Sequence, residues 1–319
     1  MSDAHALGFF LAIIGSLSFG TYILPRKLST LSVIEYQYWV ALAIAPLCVL
    51  TALLFRAPLA VPTDLMLYAL LCGPIWTLGS LSYSSAVDRI GVARSTPVKN
   101  MAPVFAAFYG IFLFNEYTLL EPIPLAMALG GVFLMVGAAY FIGNVGAPEH
   151  ETAVAFDRKR TAALRSKALR FGWFFSLSAA FFYGLYAIPL KHVLQNEMNP
   201  YSACAWLGVG VFISSAATYA VLNKRLIPPL PNRRQFLLAQ SAGAIWTTGQ
   251  ITGTVAMIHI AMSISWPVTN LSTLFAVAWG VWVFREVQLD RHLKEVVFGL
   301  LLYAAGLVLL AFAAPSGHV

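Results

Sequence analysis

Aromatic and amide side chains inside long apolar runs are the residues of this chain best suited to bind a solute. Trp76 and Ser80 are four positions apart, so a helix would place them on one face. Trp246 and Gln250 repeat this spacing later in the chain. A pyranose ring could stack its C–H face on each indole while its hydroxyls exchange hydrogen bonds with the neighbouring polar groups. The same tryptophans also fit a purely structural role, in which they pack helix against helix.

Further polar residues in the apolar runs extend this candidate site. Asn100 and Asn270 each end a Pro-Val-x-Asn sequence. Lys99 precedes Asn100, and a lysine inside a membrane span costs about 2.5–3.5 kcal/mol unless it is paired or reaches water. It could bind an anionic or hydroxyl-rich solute, or it could extend to the membrane surface. Tyr22 and Tyr186, near the ends of two apolar runs, fit either the site or interfacial anchoring.

Carboxylates are scarce in the apolar runs. Proton coupling normally uses a buried acid, and Glu35 and Asp88 are the candidates, although both also fit solvated or helix-capping roles. The sequence contains no H-E-x-x-H, G-x-S-x-G or P-loop pattern, which argues against an enzyme. The three cysteines lie in apolar runs without C-x-x-C spacing, so we expect no metal site and no cofactor.

The composition indicates that lipid surrounds most of this chain. Hydrophobic residues make up 59% of it and charged residues only 10%, whereas about a quarter of a soluble domain is charged. The net charge of +7 comes from residues in short loops between apolar runs. Nucleic acid is therefore not an expected partner, because no continuous basic surface exists outside the apolar runs.

The lengths of the apolar runs predict an all-α membrane protein with ten transmembrane helices. A helix needs about 20 apolar residues to cross a bilayer, and the runs do not alternate as barrel strands would. The predicted spans are 7–24, 33–55, 65–87, 92–114, 123–143, 171–189, 201–222, 236–260, 264–284 and 295–314.

The two halves of the chain are copies of one unit. Ile75-Trp76-Thr77-x-Gly79 returns 170 positions later as Ile245-Trp246-Thr247-x-Gly249, and the offset is 164 near the start of the chain. Because each copy holds five spans, an odd number, the second copy must enter the membrane inverted. We therefore predict a 5+5 inverted-topology repeat: residues 1–143, a linker at 144–170, and residues 171–319.

The distribution of basic residues predicts the orientation in the cell (inner) membrane. Of the 20 Lys and Arg residues, 17 lie on one side of the predicted membrane, in the loops or, for Arg94, at the edge of a span. Only Arg56 and Lys191 lie on the other side, and Lys99 lies within a span. Since cytoplasmic loops carry the excess of Lys and Arg, we expect the central linker in the cytoplasm and both termini outside.

These motifs resemble the drug/metabolite transporter superfamily, whose fourth and ninth helices end in a stretch closed by glutamate, here Glu116 and Glu286. Within it the chain is similar to the glucose/ribose porters and, more distantly, to the rhamnose–proton symporters. The ending Phe19-Gly20-x-Tyr22-x-x-Pro25-Arg26-Lys27 and the two Trp-x-x-Gly elements carry this resemblance over nearly the whole chain. Ser80 and Gln250 stand where those relatives usually carry Asn.

The resemblance implies a secondary transporter that moves a small polar solute, with a sugar favoured, by alternating access. Any coupling would be to protons rather than sodium, and facilitated diffusion without coupling stays open because no carboxylate lies at the middle of a span. The alternative is an exporter of amino acids or other small metabolites within the same superfamily. We expect the solute site between the halves, formed by spans 1, 3, 4, 6, 8 and 9. Spans 5 and 10, with paired glycines, should pack outside it and offer a homodimer contact.

Overall fold

The described part of the molecule is helical throughout. The computed structural model describes residues 3–105, 109, 122–143, 158–260, 265, 268–286 and 289–313. Within these ranges the chain forms helices and connecting turns and no strand, which confirms the all-α prediction for them. The helices are α1 (Asp3–Thr21), α2 (Leu24–Leu28), α3 (Val33–Leu54), α4 (Thr63–Ile90), α5 (Val92–Lys99), α6 (Pro122–Gly143), α7 (Arg158–Gln195), α8 (Pro200–Asn223), α9 (Arg233–His259), α10 (Ser272–Ala278), a π-helical turn (Trp279–Val283) and α11 (Leu289–Ala313).

Six described stretches are long and apolar enough to cross a bilayer by length and composition. They are Ala4–Leu28, Val33–Leu54, Thr63–Ile90, Ser166–Gln195, Pro200–Asn223 and His292–Leu309. Helix α9 has 27 residues but is not among these stretches, and its buried residues include the polar Thr247, Gln250 and Thr254. Its exposed Thr248 donates to the Ala244 carbonyl, so the hydroxyl is satisfied by its own helix.

Helix α7 begins earlier than the apolar pattern predicts. The predicted linker covers 144–170, whereas the helix starts at Arg158 and runs on into the predicted sixth span. The segment from 158 to 171 contains neither Pro nor Gly and is rich in Ala, Leu, Lys and Arg, which favour helix in water as well as in lipid. Residues 144–157 of the predicted linker lie outside the described residues.

The predicted spans 92–114 and 264–284 are each interrupted at the same position of the repeat. Helix α5 ends at Lys99 and is followed by a turn at Asn100 and Met101, while a turn at Leu271 precedes α10. The Tyr303 hydroxyl, on α11, lies 3.1 Å from the carbonyl oxygen of Asn100 and 3.4 Å from that of Asn270. One phenol therefore serves the freed backbone carbonyls of both interruptions.

Helix packing follows a reciprocal pattern, in which helices of the first half of the chain pack on helices of the second half. Helix α1 packs on α9 and α4 on α7, while α3 packs on α8, α5 on α10 and α6 on α11. Gly73 of α4 and its repeat counterpart Gly243 of α9 sit at close contacts, because a Cβ would lie 2.1 Å from the Gly210 backbone carbon or 2.6 Å from the Val40 carbonyl oxygen. Helices α6 and α11 pack against each other, and neither contributes a residue to the described lining of the cavity reported below.

Candidate functional site

A cavity between the halves gathers most of the predicted binding residues. It comprises about 660 Å³ of space between atoms, part of it open to solvent. Eight of the nine residues proposed from the sequence line it: Tyr22, Trp76, Lys99, Asn100, Tyr186, Trp246, Gln250 and Asn270. The remaining lining residues are Phe19, Ala102, Tyr183, Leu190, Gly253, Thr254, Met257, Thr269 and Ser272. They come from α1, α4, α5, α7 and α9 and from the two interrupted segments.

Two tryptophans from the two halves meet at this cavity. The ring centroids of Trp76 and Trp246 are 4.3 Å apart and inclined by 52°, and each side chain is 2% exposed. Both residues line the cavity, and neither indole N–H has a hydrogen-bond partner among the described residues. Because a buried indole N–H wants an acceptor, this arrangement suits a bound polar solute better than helix packing alone.

The amide groups of the cavity are held by neighbouring hydroxyls. Asn100 donates through Nδ2 to Ser272 at 3.1 Å and also contacts Thr273. Gln250 donates to Thr254 at 3.1 Å and accepts from Tyr186 at 3.4 Å. These bonds orient the amides and leave further donor and acceptor capacity for hydroxyl groups of a solute.

Lys99 reaches the cavity from the end of α5. Its ammonium lies 5.0 Å and 5.3 Å from the ring centroids of Tyr83 and Tyr183. The side chain is 7% exposed, so it does not extend to the membrane surface. Two aromatic faces stabilise the cation through their quadrupoles, by about 0.5–2 kcal/mol each, which offsets part of the cost of its burial.

The tyrosines predicted from the ends of spans 1 and 6 are part of the cavity wall. Tyr22 and Tyr186 are both buried. The Tyr22 hydroxyl shares a hydrogen bond of 3.1 Å with Tyr183, and the Tyr186 hydroxyl lies beside Gln250. Neither phenol is available for anchoring at a bilayer interface in this arrangement.

Ser80 is the one proposed binding residue that the structure places outside the cavity lining. Its hydroxyl donates to Oε1 of Gln37 at 2.7 Å, and Gln37 Nε2 donates to Ser215 at 3.1 Å. The chain of bonds links α4, α3 and α8. The role that this geometry gives Ser80 is therefore to join helices rather than to contact a solute.

The two coupling candidates have structural partners. Glu35 and Ser32 form a reciprocal capping box at the start of α3, an arrangement that stabilises helix N-termini. Asp88 forms an ion pair with Arg26, which also donates to the Leu31 carbonyl at 2.7 Å. Neither carboxylate lines the cavity.

A second ion pair lies close to the first, at the end of the helix pack where α4 ends and α5 begins. Lys27 Nζ is 2.8 Å from Oε1 of Glu286, whose other oxygen accepts from the Ala93 backbone N–H at 2.8 Å. Gly91 has φ +83° and faces the same carboxylate, where a Cβ would lie 2.7 Å away. Glu116, the repeat counterpart of Glu286, lies outside the described residues.

Several cavity residues were not predicted from the sequence. Tyr183 is the repeat counterpart of Phe19, so the 164-residue offset contained a signal for both. Thr254 is four residues after Gln250 on the same helical face. Among the described residues, no group of His, Cys, Asp and Glu is arranged to hold a metal ion.

Comparison with known proteins gives one family. The model of the family described as "Sugar transport protein" matches residues 10–313. A protein of Streptococcus agalactiae serotype V, named "Putative sugar uptake protein", is 21% identical over 263 residues, which cover 81% of this chain and 82% of its own. A protein with the same description from Bacillus anthracis is 20% identical over 305 residues, covering 95% and 98%.

A solved crystal structure shares the fold. It superposes with a TM-score of 0.52 at 16% sequence identity and covers 95% of this chain and 98% of its own. The apolar helices and these relatives together support a multi-pass membrane protein.

Proposed function

The chain belongs to the sugar transport protein family, and from this we propose that it is a secondary transporter that moves a sugar across the membrane by alternating access. The observation that carries the proposal is the cavity between the halves, where Trp76 and Trp246 meet beside amide and hydroxyl groups. Indole faces can stack on a sugar ring while Asn100, Gln250 and Asn270 exchange hydrogen bonds with its hydroxyls.

A ten-span inverted repeat is the architecture that we propose for this cycle. The reciprocal packing supports it: exchanging the two halves converts the contact of α1 with α9 into that of α7 with α4, and leaves the contacts of α3 with α8 and of α6 with α11 unchanged. The paired interruptions at Met101 and Leu271 support it as well. Inverted repeats that meet around a central site are typical of alternating access. The same proposed architecture also supports the relationship that we propose to drug/metabolite transporters and rhamnose–proton symporters.

The proposed orientation places both termini outside and the segment 144–170 in the cytoplasm, between repeats 1–143 and 171–319. Single cysteines at the exposed positions Glu197 and Lys224 test it, because the native cysteines are buried. An impermeant maleimide applied to intact cells should label the cysteine at 197 and not that at 224. The reverse result would invert the orientation.

Transport itself is tested with purified protein in proteoliposomes. We expect uptake of a labelled sugar from a panel of hexoses, pentoses and deoxyhexoses, and no uptake when Trp246 is changed to Ala. Uptake of amino acids with no uptake of any sugar would favour the metabolite-exporter alternative. Trp282→Ala is the matched control, since Trp282 is largely exposed on the outer surface.

Proton coupling is the finer part of the proposal. Asp88 can couple through its ion pair with Arg26, because protonation of the carboxylate would release the arginine and loosen that end of the helix pack. Sugar-driven proton flux, read with a pH dye inside the proteoliposomes, should be present in the native protein and absent in Asp88→Asn. Loss in Glu35→Gln instead would assign coupling to Glu35, and sugar uptake without proton flux would show a uniporter.

A further inference from the structure

The cavity carries one charge. Lys99 is the only charged side chain among the described residues that line it. Both ion pairs between described residues are formed elsewhere, by Arg26 with Asp88 and by Lys27 with Glu286. The polar surface that a solute meets is otherwise made of amides, hydroxyls and indole N–H groups. A solute in this cavity therefore faces a single cation that no described carboxylate neutralises.

The surroundings of Lys99 hold the ammonium without supplying a negative charge. The Tyr83 hydroxyl is bonded to Thr96 at 2.6 Å and the Tyr183 hydroxyl to Tyr22 at 3.1 Å, so both phenols are already engaged. Their rings attract the cation but accept no conventional hydrogen bond from it. Among the described residues the ammonium has no hydrogen-bond partner, although it carries three donors.

Comparison of the halves shows that helix packing does not require this charge. The repeat counterpart of Lys99 is Thr269, and that of Tyr83 is Gly253. Gly253 lines the cavity, and a Cβ there would be in ordinary van der Waals contact with Thr269 Cγ2 at 3.5 Å and with Phe19 Cε2 at 3.7 Å. The second half thus carries neither the cation nor its aromatic support.

We propose, resting on the proposed sugar-transport function, that the solute is a monoanionic sugar acid, a uronate or an aldonate. Its carboxylate pairs with Lys99, and its hydroxylated carbons lie against Trp76 and Trp246. A charge-assisted bond to a carboxylate supplies the acceptor that the buried ammonium lacks. A single lysine suits one negative charge, whereas a phosphate dianion would call for further donors with positive charge.

Binding to purified protein tests this proposal, with glucuronate and gluconate compared with glucose by tryptophan fluorescence or calorimetry. We expect the native protein to bind glucuronate at least about tenfold more tightly than glucose. Lys99→Met should weaken glucuronate binding about tenfold or more and glucose binding by less, so that the preference for the acid is lost. Lys99→Arg should keep the preference for the acid. Lys294→Met removes an exposed positive charge on α11 and should change neither affinity.

The outcomes separate this inference from the function on which it rests. Glucose bound as tightly as glucuronate by the native protein, or an equal loss of both in Lys99→Met, overturns the sugar acid and leaves the sugar transporter standing. Lactate bound as tightly as glucuronate, or no binding of any sugar or sugar acid by protein that unfolds cooperatively on heating, overturns both. The comparison of acids with glucose in the native protein does not depend on any variant folding.

Discussion

The two halves of this chain share a cavity wall but differ in charge at one end of the helix pack. In the first half Arg26 pairs with Asp88, and at the equivalent positions of the second half stand Leu190 and Ile258. Lys27 and Glu286, by contrast, have charged counterparts in Lys191 and Glu116, of which Glu116 lies outside the described residues. The ion pair of Arg26 and Asp88 is therefore the clearest departure from the repeat.

The shared residues lie where the halves touch. Trp76 meets Trp246 in the cavity, and the freed carbonyls of Asn100 and Asn270 share one tyrosine hydroxyl. In a transporter made of two identical inverted halves, the state closed on one side of the membrane and the state closed on the other would have equal free energy. Repeated residues thus build most of the cavity, with the unrepeated Lys99 as an exception. In the proposed alternating-access cycle, the unrepeated ion pair of Arg26 and Asp88 would favour closure of one side of the cavity over the other.

The largest expected effect tests whether the halves contribute equally to the cavity wall. Trp76→Ala and Trp246→Ala each remove a buried indole and should lower the free energy of unfolding by about 3–5 kcal/mol. Both should abolish sugar uptake. Thermal unfolding of purified protein measures the first effect, and Trp282→Ala, which truncates an exposed indole, is the control. A stable Trp76→Ala beside an unfolded Trp246→Ala would show that one half carries the structure.

The next largest effect is a loss of stability at the end of the helix pack where Arg26 and Asp88 form their ion pair. Asp88→Asn leaves the buried Arg26 without its counter-ion and should cost about 2 kcal/mol of stability. Asp64→Asn, an exposed carboxylate at the start of the same helix, should change little.

A double variant sharpens the result, because it gives the first half the residues of the second. Arg26→Leu with Asp88→Ile removes both charges together and should recover most of the stability lost in Asp88→Asn, since no unpaired charge stays buried. If the double variant is as unstable as Asp88→Asn alone, the loss of stability does not come from leaving Arg26 buried without a counter-ion.

The six long apolar helices could be predicted from the sequence because bilayer thickness fixes the length of an apolar run. The start of α7 could not, since residues 158–170 are polar and their helix rests on propensity rather than on apolar length. The interruptions after Asn100 and before α10 had a signal in Pro97 and Pro267, which free backbone carbonyls and can bend or start helices. The hydrogen bond of Asn100 with Tyr303 had none, because the two residues are 203 positions apart and meet only in the folded protein.

The candidate site was predictable where repetition and helical spacing agreed. Trp76, Trp246 and Gln250 satisfy both criteria, and all three line the cavity. Ser80 satisfies the same criteria but bonds to Gln37 of α3, a neighbour that no spacing along α4 reveals. Whether a residue faces the cavity or a neighbouring helix is decided by tertiary packing, which local periodicity does not contain.

Gln250 and Ser80, which occupy equivalent positions of the two halves, supply a test with a smaller expected effect. Gln250→Ala removes a cavity amide and should weaken sugar binding by about 1.5 kcal/mol, or roughly tenfold. Ser80→Ala, at the equivalent position of the first half, should change the affinity by less than about twofold, since the hydroxyl lies outside the cavity lining. Equal losses in the two variants would return Ser80 to the binding site.

The smallest effect concerns the hydroxyl that the two interrupted segments share. Tyr303→Phe keeps the buried ring but removes the group within hydrogen-bond distance of the carbonyls of Asn100 and Asn270. We expect a loss of about 1 kcal/mol in stability, seen as a lower melting temperature, because the Asn100 carbonyl loses this donor while that of Asn270 keeps Thr273 Oγ1 at 3.3 Å. Tyr140→Phe, an exposed tyrosine on α6, should be silent. The repeat counterpart of Tyr303 is Leu134, so α6 offers no second hydroxyl to replace the lost one. An unchanged melting temperature in Tyr303→Phe would mean that water reaches the interruptions, and that their carbonyls are satisfied without α11.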